Sequence, residues 1–218
     1  MGDIFWGLFC FVLIAAQAYL LGSISFAIIV TRLTNKTDIR AHGSGNAGMT
    51  NVLRTAGKLP AALTLAGDLS KAVVAVLLGR LIAQYIAGVD PLFGAYIAGF
   101  FCIIGHIFPL YFHFKGGKGV LTAAGMVLII DWRILLVCLA VFLVVLLINR
   151  RISLASICAA AALPVIALFV YLLSGASVLE IVFNTIFSAL IGCVIIIMHR
   201  DNIRRLLAHT EPKIGQKL

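Results

Sequence analysis

Long apolar segments alternate with short polar ones along the whole chain. A membrane-spanning helix needs about 20 apolar residues, with a range of about 17–25. On that basis the predicted spans cover residues 4–31, 61–87, 92–112, 119–131, 133–148, 154–173 and 179–198. The polar stretches between them are too short to link separate domains. We therefore expect a single integral membrane domain over residues 1–218.

The segments 119–131 and 133–148 are short for spans, and one long helix is the alternative. Merging them would put Asp131 and Arg133 near the centre of the membrane. Each charge at that depth costs about 2.5–3.5 kcal/mol on insertion scales. Two short or tilted helices avoid this cost, so the pattern favours seven spans.

The distribution of charge predicts how these spans are oriented. Cytoplasmic loops carry the excess of lysine and arginine in membrane proteins. With seven spans and the N-terminus outside, nearly all basic residues fall in the cytoplasmic segments 34–60, 113–119, 149–156 and 199–218. The sequence thus predicts an all-α polytopic membrane protein with its C-terminus in the cytoplasm.

Composition agrees with a membrane protein and narrows the partners. Only 11% of the residues are charged and 62% are hydrophobic, whereas soluble domains carry roughly 25% charged residues. The net charge of +9 lies between apolar segments, which indicates membrane orientation and anionic ligands, not nucleic acid. The five cysteines lie inside apolar segments, and the histidines do not form a metal-spaced cluster. We expect no metal site.

A loop rich in glycine and lysine, residues 115–119, follows the third predicted span. Glycines let backbone N–H groups approach an anion closely, and the two lysines add positive charge. The loop is not a nucleotide-binding P-loop, because Gly119 follows Lys118 where Ser or Thr should ligate magnesium. A tight turn between two helices is the alternative interpretation.

The first polar segment is rich in small hydrogen-bonding groups and ends in Arg54. Its glycine, serine and asparagine content argues against a regular helix over residues 42–48. The side chains that can donate to phosphate oxygens are Ser44, Asn46, Thr50 and Asn51, and Arg54 or Arg40 can bind two oxygens at once. A flexible surface loop is the alternative.

Polar residues at helical spacing form two further candidates. If the last span continues past the membrane, His199 and Asn202 lie on one face, with Arg205 one turn on. A solvated basic helix end is the competing interpretation. Asp68 and Lys71 lie inside the second span, where ionisable residues usually face the bundle interior or a polar cavity.

These motifs resemble those of the bacterial acyl-phosphate:glycerol-3-phosphate acyltransferases. The resemblance rests on residues 43–54, 105–122 and 199–206, with shorter matches at 22–23, 68–71 and 153–156. It covers nearly the whole chain and preserves order and spacing. Met49 and Leu121 replace smaller residues common in the family, and His209 stands where many members have glycine.

The resemblance implies a seven-helix enzyme of the bacterial inner membrane, with its active site at the cytoplasmic face. It implies transfer of a fatty acyl group from acyl phosphate to the sn-1 hydroxyl of glycerol 3-phosphate. The products are lysophosphatidic acid and phosphate, and no cofactor, coenzyme A or metal is used. Membrane lipids are the other expected partners.

Carried over by position, the resemblance also implies residue roles. The expected catalytic residues are Ser44, Asn46, Arg54, His199 and Asn202. The expected substrate-binding residues are Thr50, Asn51, Lys115, Gly116, Gly117, Lys118, Gly119, Ser153 and Arg205. The expected structural residues are Asp68, Lys71 and Glu211.

The residues leave several alternatives open. Either His199, oriented by Asn202, or a substrate phosphate takes the proton from the hydroxyl. Acyltransferases that use acyl-CoA rely on a histidine followed five positions later by aspartate, and none of the five histidines has one. A transporter of phosphate or small organic phosphates would need an inverted repeat, which the sequence lacks. A non-catalytic lipid-binding scaffold would not need the asparagines beside the charges.

Overall fold

The structure is a computed structural model that describes residues 2–216. Residue 1 of the predicted domain and residues 217–218 of its last cytoplasmic segment lie outside the described part. Residues 2–216 contain helices, turns and loops but no β-strand. The chain divides into two compact units, Met1–Ile130 and Asp131–Leu218, and each is described here by itself.

The first unit is a bundle in which α4 and α5 pack against each other and both contact α1 and α6. Its helices are α1 (Gly2–Gly22), α2 (Phe26–Asn35), α3 (Met49–Thr55), α4 (Lys58–Leu81), α5 (Pro91–Ile107) and α6 (Val120–Ile130). A π-helical turn, Ile82–Ala87, extends α4. Glycine allows the closest approach of the helices, since a Cβ on Gly79 would lie 2.6 Å from the carbonyl oxygen of Gly94.

The first predicted span, 4–31, is not one continuous helix. α1 ends at Gly22, and α2 starts at Phe26 after the cap residue Ser25. The break leaves carbonyl groups that a continuous helix would have satisfied. The carbonyl oxygens of Gly22 and Ile24 instead accept hydrogen bonds from Lys71 Nζ, at 2.9 and 2.7 Å. The predicted span 4–31 thus lies within the membrane segment Ile4–Asn35, and a buried ammonium on α4 stabilises the break inside it.

The third predicted span, 92–112, ends early as an α-helix. The proline at position 109 disfavours helical geometry at Phe108, whose φ and ψ are −120° and 68°. A 3₁₀ turn, Leu110–Phe112, follows, and His113 and Phe114 then adopt left-handed φ values of 57° and 58°. This change of direction carries the chain into the 115–119 loop.

The second unit consists of α7 (Trp132–Asn149), α8 (Ile152–Leu173), α9 (Val178–Met198) and α10 (Arg200–Leu207). α8 packs against both α7 and α9. Asp131 has extended geometry and caps α7, because its carboxylate accepts a 2.9 Å hydrogen bond from the Arg133 backbone N–H. The predicted separation of α6 from α7 at Asp131 is confirmed.

Six helical segments are long and apolar enough to cross a membrane, which agrees with an integral membrane protein. The shorter apolar helix α6 has 11 residues, a length of about 16 Å at 1.5 Å per residue. The hydrocarbon core of a bilayer is about 30 Å thick. The predicted span 119–131 therefore corresponds to a helix, α6, that falls well short of that thickness.

Candidate functional site

Asn51 organises the first polar segment. It is buried, and its side-chain N–H groups donate to the carbonyl oxygens of His42 at 2.9 Å, Asn46 at 3.1 Å and Ile39 at 3.3 Å. Its side-chain oxygen accepts from the Ser44 backbone N–H at 3.1 Å. The predicted role of Asn51 as a donor to substrate is therefore not supported, because its donors are used to shape the loop.

An arginine joins this loop to the turn that precedes the 115–119 loop. Arg40 binds both carboxylate oxygens of Asp38, and it also donates to the Phe112 carbonyl oxygen at 2.7 Å. The side-chain hydrogen bond from Arg40 lowers the pKa of Asp38 well below its ordinary value, and further bonds from Arg40 and Arg32 outweigh the opposing effect of burial. Arg40 thus shapes this region, because its donors bind Asp38 and Phe112.

Gly116 is the point where the two loops meet. Its carbonyl oxygen lies 3.4 Å from the Ala47 backbone nitrogen and 3.5 Å from Asn46 Nδ2, both at the long end of hydrogen-bond range. Ser44 is exposed, whereas Asn46, Thr50 and Arg54 are partly buried. The structure therefore brings the 43–54 and 115–119 segments together on one unit.

The two central glycines of the 115–119 loop hydrogen-bond within the unit. The N–H of Gly116 donates to the Ile107 carbonyl oxygen at 3.1 Å, and that of Gly117 donates to the His106 carbonyl oxygen at 3.0 Å. The expectation that these two N–H groups hold a phosphate needs correction, because each already has an acceptor at the end of α5. What the glycines provide is a close approach of the loop to α5.

Other groups around the loop remain suited to an anion. Lys115 is exposed, Lys118 is partly buried, and α6 begins directly after Gly119. Gly119 has a φ of +84°, a region that favours glycine. The first amides of a helix have no acceptor within that helix and carry partial positive charge. Two lysines beside a helix N-terminus are an arrangement typical of phosphate sites.

Beneath these loops, Asp68, Lys71 and His106 form a buried cluster. Lys71 Nζ lies 3.0 Å from Asp68 Oδ1 and 3.0 Å from His106 Nδ1. All three side chains are at most 6% exposed. Asp68 and Lys71 were predicted from the sequence as structural residues, whereas His106 was not predicted. A histidine inside an apolar span, one residue after Gly105, was the available signal.

In the second unit, three of the predicted functional side chains converge on Glu211. Its Oε1 accepts hydrogen bonds from the Ser153 hydroxyl at 2.7 Å and from Asn202 Nδ2 at 2.8 Å. Its Oε2 accepts from Arg205 Nε at 2.7 Å. Burial by itself would raise the pKa of Glu211, but these three donors outweigh it and lower the pKa below its ordinary value.

The contacts of Glu211 change the interpretation of Ser153. Its single hydroxyl hydrogen points to the carboxylate, so Ser153 can only accept hydrogen bonds from another partner. Its predicted substrate-binding role is therefore restricted to accepting a hydrogen bond. Arg205 uses one of its five donors on Glu211.

His199 lies at the junction of α9 and α10 and is 4% exposed. Its Nδ1 lies 2.8 Å from the Ile195 carbonyl oxygen. A carbonyl oxygen only accepts, so Nδ1 carries the hydrogen and the neutral ring has its lone pair on Nε2. The hydrogen bond to Ile195 of α9 thus favours the tautomer in which Nε2 carries no hydrogen, and a general base at Nε2 requires that tautomer. Asn202, three residues on, is also buried, as the spacing predicted.

Comparison with known proteins identifies relatives along nearly the full chain. A family model described as glycerol-3-phosphate acyltransferase matches residues 12–209. A protein named glycerol-3-phosphate acyltransferase from Clostridioides difficile (strain 630) is 41% identical over 210 residues, which are 96% of this chain and 98% of the relative. One of the same name from Ruegeria sp. (strain TM1040) is 42% identical over 98% of this chain and 94% of its own length.

Solved structures resemble the chain over a similar extent. The glycerol 3-phosphate form of PlsY (YgiH), described as an integral membrane glycerol 3-phosphate acyltransferase, matches with a TM-score of 0.78 and 33% identity. The alignment covers 94% of this chain and 96% of that one. The lysophosphatidic acid form of PlsY matches with a TM-score of 0.73 and 31% identity, over 94% and 95% of the two chains.

Proposed function

Because this chain belongs to the glycerol-3-phosphate acyltransferase family, we propose that it acylates glycerol 3-phosphate, with acyl phosphate as the donor. The observation that carries the proposal is the meeting of the 43–54 and 115–119 segments at Gly116, beside two lysines and the start of α6. Both substrates carry phosphate, so a cationic, donor-rich pair of loops suits them.

The reaction needs little bond activation. The sn-1 hydroxyl oxygen of glycerol 3-phosphate attacks the acyl carbonyl carbon, the carbon–oxygen bond to phosphate breaks, and inorganic phosphate leaves with the bonding electrons. Acyl phosphate is a mixed anhydride, so phosphate is already a good leaving group. The enzyme then acts by positioning the hydroxyl and by stabilising charge on the carbonyl oxygen and the departing phosphate.

We assign the proton transfer to His199. Its Nδ1 hydrogen bond to Ile195 leaves the lone pair on Nε2 in the neutral ring, and that atom takes the hydroxyl proton. The proton then passes to the released phosphate. Asn202 is proposed to orient the histidine, and Glu211 holds Asn202 in place through its 2.8 Å hydrogen bond.

The remaining roles follow from charge and hydrogen-bonding capacity. Arg54 is proposed to stabilise negative charge that develops in the transition state, with Ser44 and Asn46 as neutral donors. Lys115, Lys118 and Thr50 are proposed to bind phosphate oxygens, and Arg205 contributes the donors that Glu211 does not use. Asp68 and Lys71 keep the structural role that their buried ion pair supports. We propose no metal or cofactor.

We propose a single domain of seven spans in the bacterial inner membrane, with α6 as the short seventh span. The N-terminus lies outside, and the loops of the site face the cytoplasm, where the lysine and arginine excess supports their placement. In a cysteine-free background, single cysteines at Thr37 and Asp90 should react with an impermeant thiol reagent from opposite sides. Labelling of the Thr37 position from outside would contradict this topology.

The proposed activity has a direct test. Purified protein is given palmitoyl phosphate and glycerol 3-phosphate, and both lysophosphatidic acid and released phosphate are measured. We expect equal amounts of the two products, with release dependent on glycerol 3-phosphate. Absence of lysophosphatidic acid, combined with uptake of labelled phosphate by proteoliposomes, would favour the alternative of a phosphate transporter.

A further inference from the structure

We propose that His106 is a positioning residue, which, as the tautomer with its hydrogen on Nε2, holds the Gly116–Gly117 backbone at a fixed distance from the buried Lys71. The inference rests on the proposed function, because it concerns how the 115–119 loop is shaped for its substrate. It adds a residue that was assigned no role in the reaction above.

The three hydrogens of the Lys71 ammonium group each have an acceptor. An ammonium group has three N–H donors and no acceptor. Two of them go to the carbonyl oxygens of Gly22 and Ile24, at 2.9 and 2.7 Å. The third goes to His106 Nδ1 at 3.0 Å. Asp68 Oδ1 lies 3.0 Å from the same nitrogen but has no aligned hydrogen-bond donor among residues 2–216, so that contact is an ion pair only.

The hydrogen bond from Lys71 determines the tautomer of His106. Nδ1 can accept from Lys71 only if it carries a lone pair. The alternative, in which Nδ1 carries a hydrogen and donates to Asp68, has a separation of 3.6 Å, which is too long for a hydrogen bond. The imidazole is therefore neutral, with its hydrogen on Nε2.

The Nε2 edge of the ring lies against Gly117. A Cβ on Gly117 would overlap Nε2, and it would also lie 2.9 Å from the Ala47 carbonyl oxygen. The same histidine accepts the Gly117 N–H through its carbonyl oxygen at 3.0 Å. His106 thus contacts the loop through both its ring and its backbone, at the point where the 43–54 segment also approaches.

A chain of contacts results, from the break between α1 and α2, through Lys71 and His106, to Gly117. Each contact in it is short, and each of its side chains is buried, where interiors transmit strain because they are closely packed. Displacement of the imidazole should therefore shift the Gly116–Gly117 backbone and the flanking lysines. The expected consequence is weaker glycerol 3-phosphate binding with a smaller effect on chemistry.

The test is a double-mutant cycle between His106 and Gly117. Gly117→Ala forces the new methyl against the imidazole and should shift the flanking lysines away from the substrate phosphate. We expect KM for glycerol 3-phosphate to rise about tenfold, the size typical when a buried hydrogen bond to a charged group is lost. His106→Asn keeps an acceptor near the Nδ1 position for Lys71 but vacates the space at Nε2. The double variant H106N/G117A should therefore bring KM for glycerol 3-phosphate most of the way back to the wild-type value.

Gly99→Ala is the matched control, since its new methyl meets the flexible Met126 side chain within the same unit. It should lower the melting temperature and leave KM for glycerol 3-phosphate unchanged. If H106N gives no rescue and the two KM effects simply multiply, His106 does not position the loop. If H106N and G117A lower only the melting temperature, as G99A does, the role is merely structural and the proposal fails.

The melting temperatures of the four proteins in the cycle report the contact without any turnover. Non-additive melting temperatures confirm the contact between His106 and Gly117 even if wild-type protein forms no lysophosphatidic acid. That combination would overturn the proposed function and leave the contact intact. Additive melting temperatures in an active enzyme would overturn the positioning role alone.

Discussion

The polar regions of the two units are organised in different ways. In the first unit, Asn51 donates to backbone carbonyl groups and Arg40 links the Asp38 carboxylate to the Phe112 carbonyl oxygen, which fixes the shape of a loop. In the second unit, Ser153, Asn202 and Arg205 donate to the carboxylate of one residue, Glu211. A polar motif residue can therefore be required for the shape of a site without touching the ligand.

The difference separates residues that build the site from residues proposed to act in it. In the first unit Asn51 shapes the loop and is buried, whereas Ser44, Thr50 and Arg54 are more accessible. In the second unit Glu211 is the builder, and His199 is the residue proposed to act. Variants of the two groups should fail in different ways, which the following predictions use.

The largest effect is expected at His199. His199→Ala removes the proposed base, and general-base catalysis contributes about 10²–10⁴-fold to rates. We expect kcat for lysophosphatidic acid formation to fall by roughly that factor, a loss much larger than the drop in folded population caused by removing a buried, hydrogen-bonded ring. Arg204→Ala on the same short helix is the control, because its side chain is 81% exposed. Near-normal turnover of His199→Ala would assign the proton to a substrate phosphate.

Arg54 should show the next largest effect, this time in the first unit. Arg54→Ala removes charge proposed to matter most in the transition state, and loss of such a group costs about 10²–10³ in kcat. We expect kcat to fall with either substrate varied, and Arg54→Lys to recover only part of it. Lys58→Ala, an exposed change nearby, should be neutral. A raised KM with unchanged kcat would make Arg54 a binding residue only.

Replacement of Asn51, which shapes the loop of the first unit, should lower the stability of the protein. Asn51→Ala removes the acceptor of the Ser44 backbone N–H and one of the two donors to each of the His42 and Asn46 carbonyl oxygens, and each lost hydrogen bond costs about 0.5–1.5 kcal/mol. We expect a lower melting temperature and a shared loss of affinity for both substrates, whereas Asn35→Ala, which is exposed, should change neither. Unaltered stability with a selective loss of one substrate would return Asn51 to the list of ligand donors.

How much of this was predictable from the sequence depends on distance along the chain. Hydrophobic length predicted the membrane helices and the separation at Asp131, since both are local properties. The break at residues 23–25 was missed, because it depends on an ammonium group 47 residues away at Lys71.

The same distinction applies to the site. Motifs indicated candidate residues, since their types and spacing are visible in one chain. They did not distinguish Asn51 from Asn46 or Ser153 from Ser44, because that depends on which partner the folded chain brings to each donor. His209 illustrates a case that geometry explains. Its φ is +56°, a left-handed value that favours glycine, which is the residue that the family resemblance led us to expect at this position.

The smallest predicted effect sharpens the role of the carboxylate. Glu211→Gln keeps the shape, and its amide oxygen can still accept from Ser153 and Asn202. Its amide nitrogen then faces Arg205 Nε, which is also a donor. We expect a modest fall in melting temperature at pH 7, because the loss of one charge-assisted hydrogen bond lowers the free energy of unfolding by about 1–2 kcal/mol. We also expect a smaller loss of turnover than in His199→Ala.

The pH dependence of stability identifies the charge as the cause. The pKa of Glu211 is lowered in the folded protein from an ordinary value of 4.5. Its contribution is therefore complete above that value and is lost as the pH falls through the lower folded-state pKa. Below pH 4.5 the wild type should lose stability faster than Glu211→Gln, so that the two melting curves converge. Parallel curves across that range would show that Glu211 organises the second unit by its shape and not by its charge.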